Sequence, residues 1–339
     1  MSGSLRWGLI LLGGLCLMAF LPPPIDPVEQ VDPPASLHRA PGTVLLELRL
    51  ANGRILLADE VAVRGEEVRI LRRNEAQVLP RSEVSNLTEA GTVESRRFFL
   101  LGSDRFGRDI WSRVMAGARV SLSIGLLAML LASTLGTFVG AVAATAGPRL
   151  DNLLMRLVDG AMAFPSLFLV LGLSAILEPN TVQVVLLLGG TAWMGTSRLA
   201  RAEILGLRER DFVLASRGIG QSRLKILWRH LLPNALTPLV VDATLMIGNL
   251  ILAEAALSFF GLGVQAPTPS WGNMISDGRA ASGVWWAAFF PGVAIAITVI
   301  TLNLLADGLR KALDPRSREV DLPVEKAPPG TGAATLRQT

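Results

Sequence analysis

The residues of this chain that could do chemistry sit inside apolar runs. They are Phe164-Pro165, Asp242, Asn249 and Glu254. Asp242 and Asn249, seven apart, share one face of a helix, and Glu254 follows farther along, turned by about 120°. Carboxylates in such runs are costly, so a role is expected. They either line a polar path, meeting the amino terminus or backbone of a cargo, or hydrogen-bond neighbouring helices. Pro165 removes a backbone bond and kinks its helix, shaping a cavity or only accommodating packing. Enzyme chemistry finds little support. The two histidines, His38 and His230, form no cluster with cysteine that could hold zinc. No Gly-Lys dipeptide occurs, so there is no phosphate-binding P-loop. With Cys16 alone, no intrachain disulfide can form. No catalytic residue, metal or directly bound cofactor is therefore expected.

The second constellation is the basic stretch 201–234, between two apolar runs. It carries Arg201, Arg208, Arg210, Arg217, Arg223, Lys225 and Arg229, with Phe212, Leu224, Leu227 and Trp228 among them. One helix is expected over 203–216, broken by Gly218 and Gly220. A second is expected over 221–230, ended before Pro233. Two short helices at an angle fit a groove on a partner, where apolar anchors give affinity and charges set register. The rival is a basic helix resting on anionic lipid.

The elements that must position these groups follow from composition. The 339 residues are 50% hydrophobic, with a mean hydropathy of +0.46, which points to several membrane spans. A span needs about 20 apolar residues. Six candidates stand out, at 6–22, 119–147, 153–177, 181–200, 235–261 and 284–306. The first reads as an uncleaved anchor, because Pro22-Pro23-Pro24 follows instead of a cleavage site and Leu15 precedes Cys16 where a lipidation signal needs a small residue. Basic residues crowd 198–229 and the tail (Arg310, Lys311, Arg316, Arg318), whereas 262–283 holds only Arg279. Both termini and the 201–234 loop are then cytoplasmic. The net charge of +4 is mostly a topology signal, and nucleic acid is not an expected partner.

Residues 25–100 read as a β-rich insertion outside the cytoplasm. A Pro-rich linker at 22–34 leads to strand-like runs at 43–50, 55–63, 67–72 and 76–80, with turns at Asn52-Gly53 and Arg64-Gly65. Alternation in 43–50 suggests a half-buried strand, and a small curled sheet of four or five strands is expected. Residues 101–118 read as an amphipathic helix in the headgroup layer, with Arg105, Arg108, Asp109, Ser112 and Arg113 on its polar face and Trp111 as anchor. Gly136-x-x-x-Gly140 permits close helix approach. Residues 317–339 are Pro- and Gly-rich and expected to be disordered.

Several segments carry a resemblance. Ala215-Ser216, three residues, Gly220, eleven residues and Leu232-Pro233 resemble the loop motif of ABC-importer permeases. Leu214 stands at its Glu, Ser216 at its second Ala and His230 at its hydrophobe. Residues 101–122 (LGSDRFGRDIWSRVMAGARVSL), 151–159 (DNLLMRLVD) before Phe164-Pro165, 254–272 (EAALSFFGLGVQAPTPSWG) and 307–315 (DGLRKALDP) are similar to the dipeptide/oligopeptide/nickel permease family. The resemblance covers about 101–316, with 25–100 outside it. It implies an all-α inner-membrane permease with six spans, forming half of a heterodimeric pore with a homologous second permease. It also implies two ATPase subunits that bind ATP and Mg, and an extracytoplasmic solute-binding protein. Peptides are the expected cargo, with nickel or another small solute as the alternative. On the resemblance, Arg208, Asp211, Phe212, Ala215, Ser216, Arg217, Gly220, Leu224, Trp228 and Pro233 couple to the ATPase.

The expected organisation is an anchor at 1–24, the insertion at 25–100, the interfacial helix at 101–118, a permease core at 119–316 and a tail at 317–339. A membrane-anchored sensor, with 25–100 as sensing domain, is the rival from another class, but its cytoplasmic parts are too short for an output domain. An intramembrane enzyme is disfavoured by the missing catalytic pairs.

Overall fold

In the computed structural model of the protein, residues 3–313 are described, apart from 31, 74, 89–90, 179 and 282; the expected disordered tail lies outside the described residues. The chain begins with helix α1 (Gly3–Phe20). An irregular stretch and the single turn α2 (Pro33–Ser36) lead into a β unit. Its strands are β1 (Thr43–Arg49), β2 (Ile55–Ala58), β3 (Glu60–Arg64), β4 (Glu67–Arg72), β5 (Glu75–Pro80) and β6 (Arg96–Phe99). They form two three-stranded antiparallel sheets, ordered β2-β1-β6 and β3-β4-β5.

The β unit departs from the expected single sheet at two places. The run 55–63 splits at Asp59, whose carboxylate accepts two hydrogen bonds from the Arg39 guanidinium at 2.7 and 3.0 Å and one from the Arg73 N–H at 2.9 Å. These bonds hold the corner where the chain passes from one sheet to the other. Strand β1 is also not half-buried. Leu48 joins a core with Leu56, Val68 and Ile70, while Leu45, one face over, packs with Leu57, Phe99 and Ala35. Glu47 on that second face is buried and held by Arg97 and Arg49, each at 3.3 Å. β6, invisible as a strand in the pattern, closes β1 from the other edge.

The helical body follows: α3 (Ile110–Thr145), α4 (Pro148–Met162), α5 (Ser166–Ile176), α6 (Thr181–Arg208), α7 (Asp211–Gly218), α8 (Arg223–Ile226), α9 (Leu232–Phe259), α10 (Trp271–Arg279) and α11 (Trp285–Leu313). Among the described residues, four helices are long and apolar enough to cross a membrane: α1, α3, the continuous 223–259 helix and α11. The pair α4 and α5, bent by 75° at the Phe164-Pro165 elbow, makes up to five. α6 has the length, 28 residues, but Gln183, Thr191, Thr196 and Ser197 interrupt its apolar run.

Glycines set the packing of the central pair. A methyl group on Gly140 would fall 2.4 Å from the Ser197 carbonyl oxygen, and one on Gly136 would fall 2.6 Å from that of Trp193. α3 and α6 therefore run parallel with backbones in near contact. α9 crosses α3 antiparallel, with Ile251 against Gly125. α1 lies antiparallel to α11, with Gly8 at Leu305 and Gly308 at Leu5. The start of α1, the end of α11 and the α6–α8 loop thus share one end of the bundle. The β unit, the start of α3 and α10 share the other.

The expected interfacial helix at 101–118 is not formed. Residues 101–109 are turns, and helix begins at Ile110 as the first turns of α3, capped by Asp109 accepting from the Ser112 N–H at 2.8 Å. The predicted polar face is an interior one. Arg108 and Arg113 are buried, with Arg108 2.7 Å from Asp104 and 2.8 Å from Asp277 of α10. Arg105 adds a 2.9 Å bond to Asp277. Trp271 and Trp286 complete the joint, their indole N–H groups donating to the carbonyls of Val114 and Ser103 at 3.0 and 3.1 Å.

Candidate functional site: an exposed loop and a polar cleft

The loop between α6 and α9 takes a different form from the two expected helices. α6 ends at Arg208, whose guanidinium caps α3 by donating to the Ala144 carbonyl. Asp211 opens α7, its charge matching the positive end of that helix. Gly218 is still helical. The break comes at Gly220, where φ is +80° and the N–H bonds to the Arg217 carbonyl at 2.9 Å. This is the left-handed residue that ends many helices, and nothing lies within 4 Å of where a side chain would start.

The second short helix does not stop before Pro233. α8 passes through a π-turn at Leu227–Leu231 directly into α9. Pro233 cannot donate to the carbonyl one turn back, and the widened turn just before it absorbs the missing bond. The Asn234 side chain satisfies the His230 carbonyl at 2.6 Å. The loop is therefore joined to a bundle helix without a hinge.

One side of the loop holds it down. Val213, Ile226 and Leu231 pack with Ala144, Ala200 and Ile204. Ser216 is buried, donating to the Phe212 carbonyl at 2.8 Å and lying 3.5 Å from His230. The other side is bare. Phe212, Leu214, Ile219, Leu224 and Trp228 are exposed, Trp228 to 67% and Leu224 to 66%. Ala215, Arg217 and Pro233 are exposed as well. Arg208, Arg217 and Arg223 edge a hollow of about 300 Å³ beside Thr145.

The apolar-run residues divide. Asp242 and Asn249 line a cleft of about 430 Å³ between α5, α6 and α9. The α9 lining, Asp242, Leu245, Met246, Asn249, Leu250 and Ala253, recurs at three and four residues and is one stripe. Thr196 of α6 donates to the Asp242 carboxylate at 3.0 Å. Ser166 of α5 and Thr191 and Thr196 of α6 add the polar groups that the sequence reading missed; their signal was hydroxyl residues interrupting apolar runs. Glu254 is elsewhere. It is fully buried, accepting from Ser258 at 2.6 Å and Ser121 at 3.3 Å, and ties α9 to α3. Phe164 and Pro165 are exposed at the α4–α5 elbow, outside the cleft lining, with Ser166 and Leu167 next to them inside it. Among the described residues no three His, Cys, Asp or Glu side chains gather as a metal site would need.

This loop-and-cleft arrangement has relatives. A putative peptide transport system permease protein of Brucella suis is 47% identical over 218 residues, covering 64% of this chain and 73% of that protein. The dipeptide transport system permease protein DppC of Bacillus subtilis is 39% identical over 219 residues, covering 64% and 68%. DppC of Alkalihalophilus pseudofirmus is 41% identical over 218 residues, covering 64% and 72%. Among solved structures, the inward-facing MetNI methionine ABC transporter shares the fold at 18% identity, with a TM-score of 0.50 over 59% of this chain and 95% of that one. The family model described as binding-protein-dependent transport system inner membrane component matches residues 132–319, more than half of the chain. Sequence, fold and family model agree, and the chain belongs to the family of inner membrane components of binding-protein-dependent transport systems.

Proposed function

We propose that this chain is half of the translocation path of an ATP-driven peptide importer, working with a homologous second permease. The relatives' names, peptide and dipeptide transport permeases, support the cargo. The observation that carries the mechanism is the loop: Leu224 and Trp228 stand bare on a segment continuous with α9, with Phe212 exposed on α7 across the Gly220 break. Large exposed apolar side chains beside arginines are what a docking groove selects. Two separate ATPase subunits hold ATP and Mg; this chain supplies none of the chemistry. When they move, the unhinged α8–α9 connection carries the displacement to the stripe that lines the cleft. The pore then shifts between states because the partner contacts differ in each.

In this reading the membrane is crossed six times, by α1, α3, the bent α4–α5 pair, α6, α9 and α11. α6 counts as a span because it lies along α3 with backbones touching and turns Thr191 and Thr196 into the cleft, where they escape lipid, while Ser197 donates to the Met194 carbonyl of its own helix. The loop end is cytoplasmic, with both termini, since Arg208, Arg210, Arg217, Arg223, Lys225 and Arg310 gather there. The β unit then stands outside the cytoplasm, on the side of the solute-binding protein.

The test is a double variant, Leu224→Ala with Trp228→Ala. Both side chains are exposed, so the chain should reach the membrane in normal amount. Purification should lose the ATPase subunits, because truncating anchor residues costs about 2 kcal/mol or more each. Retained subunits with normal cargo-stimulated hydrolysis would overturn the docking assignment.

A further inference from the structure

We propose that the Asp242 carboxylate receives an ammonium group of the cargo as it crosses the cleft; this rests on the reading of the chain as a peptide permease. Asp242 is the one ionisable residue among those lining the cleft. One oxygen takes the Thr196 hydroxyl at 3.0 Å. No Arg, Lys or His among the described residues pairs with it. Asp151 pairs with Arg201, Asp159 with Arg198, and Asp104 and Asp277 with Arg108, while Asp211 and Asp307, which have no such pair, are exposed and Asp109 caps α3. A carboxylate without a cationic partner in a bundle is expensive; Glu254 is shut in by Ser121 and Ser258, whereas Asp242 faces a cleft that a visiting cation can enter.

The surroundings fit a peptide. Asn249 lies on the same stripe seven residues on, about 10.5 Å along the helix axis, which is the reach of about three residues of extended chain. An ammonium at Asp242 thus leaves a peptide amide near Asn249, which can both donate and accept. Leu245, Met246 and Leu250 give the apolar wall between them. The cleft is unroofed beside the exposed Leu167 and Leu245, where the second permease would close it. The solute-binding protein sets which peptides arrive, so the carboxylate should act on passage rate rather than on the concentration for half-maximal uptake.

Uptake is measured in cells carrying the complete importer and lacking other peptide importers, with membrane amounts checked by immunoblot. Labelled trialanine offers only an amino-terminal ammonium, and Ala-Lys-Ala adds one on a side chain. Asp242→Asn keeps an acceptor for Thr196 and removes the charge. It should slow maximal uptake about thirtyfold or more, the size expected when one partner of a charge pair is removed. Asp242→Glu should recover most of the rate, and Asp242→Lys should abolish it. Slowing of both peptides by Asp242→Asn assigns the amino terminus as the source; slowing of Ala-Lys-Ala alone assigns the side chain. Wild-type rates in Asp242→Asn and Asp242→Lys would overturn the inference. So would Asp242→Glu falling as far as Asp242→Asn, since a restored charge without a restored rate would mark a packing role. Failure of the wild-type importer to accumulate either peptide would instead remove the peptide reading itself.

Discussion

The two ends of the molecule are stabilised in opposite ways. The β unit is closed upon itself. Its two cores share strand β1, Glu47 and Asp59 are matched by arginines, one sheet pairs successive strands and the other is closed by the return of β6 to β1. The α6–α8 loop has one buried side, Val213, Ile226 and Leu231, and one bare side. The loop leaves Trp228 and Leu224 exposed on that bare side, whereas the β unit encloses Leu48, Leu57 and Phe99 among its own strands and exposes Val44, Val78 and Phe98 at its surface. The contrast is between one apolar row left bare and two small cores enclosed by their own strands.

The largest expected effect lies in the loop. Gly220 has open space around it and a φ of +80°, so a substitution there meets backbone strain without a clash. Gly220→Val should abolish transport while the chain still inserts. A β-branched residue resists the left-handed region, and the bare row would be presented at another angle. Gly220→Asn, which tolerates that region, should keep most of the uptake. If Asn fails as completely as Val, side-chain volume rather than backbone angle is the cause, and the loop makes a tighter contact than described.

A core truncation in the β unit comes next. Leu57 is fully buried against Leu45 and Phe99. Leu57→Ala should cost about 2–5 kcal/mol, read as lost hydrogen-exchange protection of β1 and β2 amides in the full chain. Protection in α3 and α9 should not change. Equal softening of those helices would erase the distinction between the two ends.

The smallest effect is the response of the β unit to acid. Burial alone would raise the Asp59 carboxyl, but hydrogen bonds from the Arg39 guanidinium and the Arg73 N–H outweigh it and hold it below the usual carboxylate range. The folded value is thus lower than the unfolded one. The stabilisation is present above the ordinary aspartate range and is lost as pH falls through the folded value. Exchange protection at the β2–β3 corner should fall with it, and Asp59→Asn should flatten that dependence. An unchanged profile in the variant would show that another carboxylate governs the corner.

What the sequence determined alone was whatever depends on near neighbours. The apolar runs behind α1, α3, α9 and α11 are continuous, and a run of that length has few alternatives. The turns at Asn52-Gly53 and Arg64-Gly65, the Pro165 elbow and the Gly136-x-x-x-Gly140 contact were legible because the local backbone dictates them. So was the loop spacing around Gly220, though not the form of the helices beside it.

Tertiary structure decided the rest, because the partner of a polar group is set by elements far away in sequence. Asp242 and Glu254 read alike in the chain, yet one meets a cleft and the other a cage of Ser121 and Ser258. Arg108 and Arg113 resembled a solvated helix face until Asp277, more than 160 residues on, came to pair with Arg108. The alternation in 43–50 suggested a strand buried on one face, yet Leu45 packs with Ala35 of α2 and Phe99 of β6 on the second face. Pro233 signals a helix end by its own chemistry, and only the π-turn before it lets one helix run from the loop into the bundle. In each case the local rule was right about the residue and silent about its surroundings.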